Sequence, residues 1–244
     1  MTESKRDLLT GRGLFLQSII NVFPKELRLK FNPNRYSIEK FIEFSAKKIQ
    51  FGAVVLDAGA GPCPYKPFFK HCKYESTDFK KTCKDLTFVS SLDKIPRKNN
   101  TYDAIICTEV LEHVEHPQNV LNEFNRILKK DGKLIMTVPQ GWRIHQEPYN
   151  FFYFTKYGLA SLLKRAGFKK FKISSKGGYF WFLADALRFN GILEQYKKYW
   201  ILYWPLKIFE YPITNIILPF VLFHLDFLDK EKKWTLGYLI EAIK

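Results

Sequence analysis

Residues 54–65 read VVLDAGAGPCPY: an apolar run that ends in an acid, then two glycines one residue apart, then two prolines. A second acid, Asp78, closes the next, weaker strand 21 residues after Asp57. In an α/β sheet, ligands bind beyond the carboxyl ends of the strands, where the connections diverge. Gly59 and Gly61 permit a tight turn and let a ligand approach the backbone with no Cβ in the way. A carboxylate at the tip of the second strand is placed to accept both hydroxyls of a ribose. The glycines and acids alone fit a nucleotide with a diphosphate as well as one without.

The prolines separate these two ligands. A dinucleotide fingerprint wants a third glycine at position 64 and free backbone N–H groups that hold a pyrophosphate at a helix N-terminus. Positions 62 and 64 are both proline, which has no N–H to donate. Asp57 complements a cationic ammonium and would repel a phosphate. The loop therefore suits S-adenosylmethionine better than NAD.

These residues need a frame. Ser37 is expected to cap a helix with Ile38, Phe41, Ile42 and Ile49 inward. A short apolar run predicts a buried strand at 53–56, further strands are expected at 102–107, 133–138 and 171–174 and a weaker one at 73–77, with a last, antiparallel strand within 234–243. Val120, Leu121, Phe124, Ile127 and Leu128 mark a helix face that Asp131-Gly132 should stop, and Thr155 caps a helix carrying Leu159, Leu162, Leu163 and Ala166. Strands alternating with helices predict a Rossmann-like α/β sheet, mostly parallel. The expected organisation is a helical extension over 1–50, a ligand-binding core over 51–178, an aromatic helical insertion over 179–230 and a final core strand within 231–244.

Four blocks resemble the class I S-adenosylmethionine-dependent methyltransferases, and within them the type 11 branch. They are VVLDAGAGPCPY, STDF, NNTYDAIICTEVLEHVEHPQNVLNEFNRILKKDGKLIMTVPQ and HQEPYNFFYFTKYGLASLLKRAGF, together spanning about residues 52–170. The third block is the most specific. The resemblance implies that Asp57, Gly59, Ala60 and Gly61 lie against the methionine and ribose part of the cofactor. Asp78 would hold the ribose hydroxyls, Phe79 would flank the adenine, and Asp85 and Leu86 would meet its edge. Thr108 and Glu109 would line the floor near the sulfonium. Pro64 departs from the family, where a glycine or small residue is common.

Methyl transfer from a sulfonium is an in-line displacement, so the protein's main task is to hold donor and acceptor in line. A base is needed only where the acceptor must lose a proton. His145 in GWRIHQEPY, with Glu147 two residues on, and His113 in the LEH phrase are the candidates. His116, beside Pro117, reads as a turn residue. Tyr149, Tyr153 and Tyr157 form an aromatic strip that either touches the acceptor or packs as wall.

The chain has 244 residues, 46% hydrophobic and 26% charged, enough for a packed α/β core and unlike a disordered chain. Four cysteines form no C-x-x-C pair, and Cys63, His71, Cys72 and Cys83 match no usual ligand spacing, so no metal is expected. Reduced thiols and a polar N-terminus predict a cytoplasmic protein. The net charge of +15 is scattered from Lys5 to Lys244. It fits anionic headgroups or a phosphorylated substrate as well as nucleic acid.

Residues 179–228 are dense in aromatics. Lys207, Glu210 and Asp226 interrupt the apolar run, and Pro205, Pro212 and Pro219 are expected to break it, so a membrane-spanning helix is not expected. Tryptophan and tyrosine mixed with lysine suit a surface at headgroup level, on the inner face of the membrane. A lid or a homodimer surface is the alternative. The acceptor expected is a small molecule, glycan or lipid-linked group, by O-methylation, and nucleic acid is not expected. The rival readings are a nucleic-acid methyltransferase, an NAD(P)-dependent oxidoreductase and a non-catalytic membrane-associated protein on the same fold.

Overall fold

The computed structural model describes residues 21–188, 196 and 198–244. Residues 1–20 of the expected N-terminal extension and residues 189–195 and 197 of the aromatic insertion lie outside the described residues. The chain divides into two compact units. An α/β unit comprises Ile38–Gly141, Pro148–Lys176 and Gly237–Lys244, and a helical unit takes Gly177–Leu236, Trp142–Glu147 and the described part of Met1–Ser37.

The α/β unit holds a seven-stranded sheet in the order β3-β2-β1-β4-β5-β7-β6. Its strands are β1 (Val54–Ala58), β2 (Lys73–Asp78), β3 (Phe88–Val89), β4 (Tyr102–Thr108), β5 (Leu128–Pro139), β6 (Lys170–Ser175) and β7 (Gly237–Ile243). Strands β1 to β5 pair in parallel. Strand β7 runs antiparallel between β5 and β6. The expected mostly parallel sheet with an antiparallel last strand is what folds.

The central strands β1 and β4 and the second half of β5 read as mostly apolar runs because both faces of the sheet are covered there. Side chains alternate across a strand, so Leu56, Ala58, Ile105, Cys107, Leu134 and Met136 enter one core. Val55, Ala104, Ile106 and Ile135 enter the other. Helices α3 (Pro117–Ile127) and α4 (Lys156–Arg165) close the first core. From α3, Val120, Leu121, Phe124 and Ile127 are fully buried, each worth about 1.5–3 kcal/mol. Ile38, Ile42 and Ala46 of α2 (Pro33–Lys47) close the second; α1 is the short helix Lys25–Lys30.

Two boundaries differ from expectation. Helix α2 starts at Pro33, and Ser37 is no cap: its hydroxyl donates to Asn34 O at 2.7 Å. Proline at a first helical position needs no N–H. Helix α3 ends at Ile127, before Asp131-Gly132; Asp131 sits instead at φ +61° within β5, whose register against β4 shifts between Tyr102 and Ala104. Thr155 does cap α4, accepting from Gly158 N at 3.1 Å.

In the helical unit, α5 (Tyr179–Arg188), α6 (Trp200–Pro212), a wide turn at Ile213–Ile217 and α7 (Leu218–Leu225) follow. The segment Trp200–Leu228 is one helix of 29 residues, so the prolines do not break it. A proline mid-helix crowds the preceding turn and removes a hydrogen bond. The turn after Pro212 widens to an i to i+5 spacing. Two side chains serve the carbonyls there: Thr214 Oγ1 donates to Glu210 O (3.0 Å) and Asn215 Nδ2 to Tyr211 O (3.1 Å).

Candidate functional site

Strand order reverses at β1, with β2 on one side and β4 on the other, which opens a crevice beyond their carboxyl ends. The loop after β1 crosses this point. Gly59 N and Ala60 N donate to Thr77 O at 2.9 and 3.0 Å, which pins the loop to the tip of β2. Gly59 stands at φ +76°, and a Cβ there would lie 2.5 Å from Val110 Cγ2. Gly61, at φ +51°, has nothing within 4 Å of a would-be Cβ. One glycine is therefore demanded by packing and the other leaves an open cradle.

Two carboxylates flank this cradle. Asp78 Oδ2 accepts from Gly61 N at 2.9 Å and Oδ1 from Phe79 N at 2.7 Å. Each oxygen keeps a second lone pair for another donor. Asp57 is buried at the end of β1 and accepts from the Tyr74 hydroxyl at 2.5 Å. Burial and, less strongly, the nearby Asp78 push its carboxyl up to about 6, although the Tyr74 hydroxyl pulls the other way. The Tyr74 phenol is itself held far above its usual range by burial and by Asp57.

The remaining expected cofactor residues occupy the same end of the unit. Phe79 is 72% exposed, presenting a ring face with Lys80 over it at 5.0 Å. Asp85 pairs with Lys66 at 3.2 Å, and Leu86 is half-buried beside it. Thr108 ends β4 opposite Thr137. Glu109 follows at φ +52°, its Oε1 accepting from Thr137 Oγ1 and Lys176 Nζ, both at 2.8 Å. Thr82 Oγ1 donates to Gly61 O at 2.5 Å, and the Cys63 and Cys83 sulfurs lie 3.5 Å apart, so residues 79–86 are tied to the glycine loop.

Two polar residues that sequence reasoning missed lie under this floor. Lys176, at the end of β6, is fully buried against Glu109. Glu112 is also fully buried, and among the described residues neither of its carboxyl oxygens has a hydrogen-bond partner. Burial first, and Glu109 second, push its carboxyl up to about 8, so it holds its proton at neutral pH. The backbone carbonyl of Glu112 accepts from Phe151 N (2.9 Å) and Phe152 N (3.3 Å), which seats the aromatic strip beside the floor.

His113 adds to this anchorage. Its Nδ1 lies 2.6 Å from Tyr149 O. A carbonyl only accepts, so Nδ1 carries the proton and Nε2, 3.7 Å from Glu112 Oε1, is the basic nitrogen. Of the base candidates, only His113 belongs to the α/β unit; His145 and Glu147 group with the helical unit. There His145 Nδ1 lies 3.1 Å from Arg143 O and its ring meets Trp142 edge-on.

The loop's donor pattern fits a nucleoside that bears no phosphate. Its prolines donate nothing, its amide at Gly61 is already spent on Asp78, and acids stand on both sides. A family model described as a methyltransferase domain matches residues 30–173, more than half of the chain. The chain belongs to this methyltransferase-domain family. The resemblance to class I methyltransferases is borne out by that match.

An uncharacterized protein of Methanocaldococcus jannaschii is 32% identical over 127 residues, covering 48% of this chain and 55% of that one. The chain thus spans about half the length of that curated relative. Among solved structures, Haemonchus contortus phosphoethanolamine N-methyltransferase 2, in complex with phosphomonomethylethanolamine and S-adenosylhomocysteine, superposes with a TM-score of 0.53 at 13% identity, over 83% of this chain and 52% of that one. The cyclase SpnF superposes with a TM-score of 0.50 at 16% identity, over 84% and 81%. At such identities the methyltransferase domain shares the fold with these proteins and no more.

Proposed function

We propose that the chain is an S-adenosylmethionine-dependent methyltransferase acting on a hydroxyl of a small-molecule, glycan or lipid-linked acceptor. The observation that carries the cofactor assignment is the open cradle at Gly61, flanked by Asp57 and Asp78, in a loop without pyrophosphate donors. In this reading Asp78 uses its remaining lone pairs on the ribose hydroxyls and Asp57 faces the ammonium of the methionine end. Phe79 covers the adenine, Asp85 and Leu86 meet its edge, and Thr108 and Glu109 form the floor. When bound, S-adenosylmethionine supplies an electrophilic methyl group.

The protein's own contribution is position. Lys176 and Thr137 fix one oxygen of Glu109, leaving the other directed by that clamp. Such pre-set geometry is what in-line transfer rewards. The exposed rings of Tyr149, Phe151, Phe152 and Tyr153, on a segment whose Phe151 and Phe152 N–H groups donate to Glu112 O, suit the apolar face of a sugar or a lipid-linked ring. Proton removal from the hydroxyl falls to a histidine: His113 with its basic Nε2, or His145 with Glu147.

We extend the reading to a protein of the cytoplasm that meets an anionic membrane on its inner face, where lipid-linked acceptors lie. Tritiated methyl donor supplied to the chain together with separated lipid, glycan and RNA fractions tests the acceptor. Label in the lipid or glycan fraction supports the proposal. Label confined to RNA replaces it with a nucleic-acid methyltransferase.

A further inference from the structure

Helix Trp200–Leu228 uses only one of its faces inside its own unit. On the packed face, Tyr203, Thr214, Asn215, Leu222 and Asp226 are buried. Trp181 stacks on Phe223 with centroids 4.9 Å apart and donates from Nε1 to Phe223 O at 3.0 Å. Tyr36 closes edge-on against the same pair. The other face carries Leu202, Leu206, Phe209, Ile213, Ile217 and Phe220, all exposed, Phe209 by 73%. Their spacing of three or four residues puts them on one stripe. No charge falls within it from 202 to 220.

A stripe of this length exceeds the apolar patch that a soluble monomer ordinarily shows. Twenty-nine residues make a rod of about 43 Å. Its ends carry what sits at headgroup level. Tyr199, with Lys198 over its ring, and the exposed Trp200 stand at one end; Lys230, Lys233 and the exposed Trp234 follow the other. A second copy would bring a chain of +15 against another of +15. An anionic surface gains from the same charge, lysine by lysine.

We propose that this stripe seats on an anionic lipid bilayer, with the helix axis lying in the plane of the interface. The proposal deepens the membrane contact named above and rests on that reading only for its biological setting. The segment is long and apolar enough to span, but its polar face is committed elsewhere. Asp226 accepts from Gly178 N at 2.9 Å and Trp181 N at 3.2 Å, and Lys207 pairs with Glu210 at 2.9 Å. Spanning would tear Asp226 from the amides it serves and carry an ion pair into hydrocarbon. Lying flat buries the stripe alone and leaves those bonds intact.

Flotation of the full chain with phosphatidylcholine vesicles, with and without phosphatidylglycerol, tests this. The chain should float with the phosphatidylglycerol vesicles, lose that partition in high salt, and be released by alkaline carbonate. The double variant L206E/F209E should partition about a hundred-fold less, with its melting temperature and its affinity for S-adenosylhomocysteine unchanged. Three results overturn the proposal: no flotation of the unaltered chain, equal flotation of the variant, or retention through carbonate, which marks a spanning helix. A dimer that the double variant splits, without flotation, assigns the stripe to a second copy instead. Flotation without label in the lipid or glycan fraction would retire the acceptor reading and leave this one standing.

Discussion

Gly59 and Gly61 sit two residues apart in one loop and answer to different demands. At Gly59 an alanine meets Val110 at 2.5 Å and keeps a φ of +76°. Gly59→Ala should lower stability by about 2–4 kcal/mol, read by urea denaturation. At Gly61 an alanine meets nothing within 4 Å, so its stability loss should stay near 1 kcal/mol. Its Cβ would occupy the cradle, and affinity for S-adenosylhomocysteine should fall at least about ten-fold by calorimetric titration, a loss of about 1.4 kcal/mol. Equal affinities for Gly61→Ala and the unaltered chain would put the ligand elsewhere.

Glu112 gives the residue scale its pH dependence. Its ordinary value of 4.5 is raised to about 8 in the folded chain. Between those values the folded state holds a proton that the unfolded state has released, so stability is greatest below about 4.5 and declines as pH rises toward 8. The buried Asp57, raised from 3.8 to about 6, adds a decline over its own lower window. Glu112→Gln keeps the shape and removes the titration. Thermal melts from pH 5 to pH 9 should show a flatter profile for the variant and a higher melting temperature at pH 9. A parallel profile would mean that Glu112 ionises freely.

The tight, donor-poor form of the glycine loop was legible because residue type alone sets it: glycine through a missing Cβ, proline through a missing N–H. Glu112 and Lys176 were not. A lysine in Ser-Ser-Lys after a strand reads as solvent-exposed, and only the close placement of β7 beside β6 buries it. Nor did the LEH phrase reveal that its glutamate would be sealed while its histidine binds a carbonyl 36 residues on.

At the scale of elements, patterning placed most strands within two residues of their observed ends, and in β1 and β4 two-faced burial leaves a plain apolar run. The two-residue strand β3, Phe88–Val89, has no such run and was invisible. The prolines of the aromatic segment misled for a physical reason. Proline disfavours a helix interior locally, but the widened turn at 213–217 and the Thr214 and Asn215 side chains accommodate the disrupted turn. The start of α5 depends on a distant contact as well. Asp226 accepts from the N–H groups of Gly178 and Trp181, and Asp229 from Tyr179 N at 2.7 Å. A carboxylate at a helix N-terminus satisfies orphan donors and meets the positive end of the dipole. Asp226→Ala should destabilise the helical unit by about 1–3 kcal/mol, seen as earlier hydrogen exchange at residues 178–182. Unchanged exchange there would mean that the cap contributes nothing.

For the whole molecule, the α/β unit supplies the frame and its crevice supplies the chemistry. A cyclase and an N-methyltransferase share this fold with the chain, so activity is argued from Asp57, Gly61 and Asp78 and not from topology. A thermal-shift titration with S-adenosylhomocysteine and, separately, NADH distinguishes a crevice for a nucleoside without phosphate from one for a dinucleotide. S-adenosylhomocysteine should raise the melting temperature in a saturable manner, Asp78→Ala should abolish most of that rise, and NADH should leave it unmoved. A rise with NADH and none with S-adenosylhomocysteine would contradict the account.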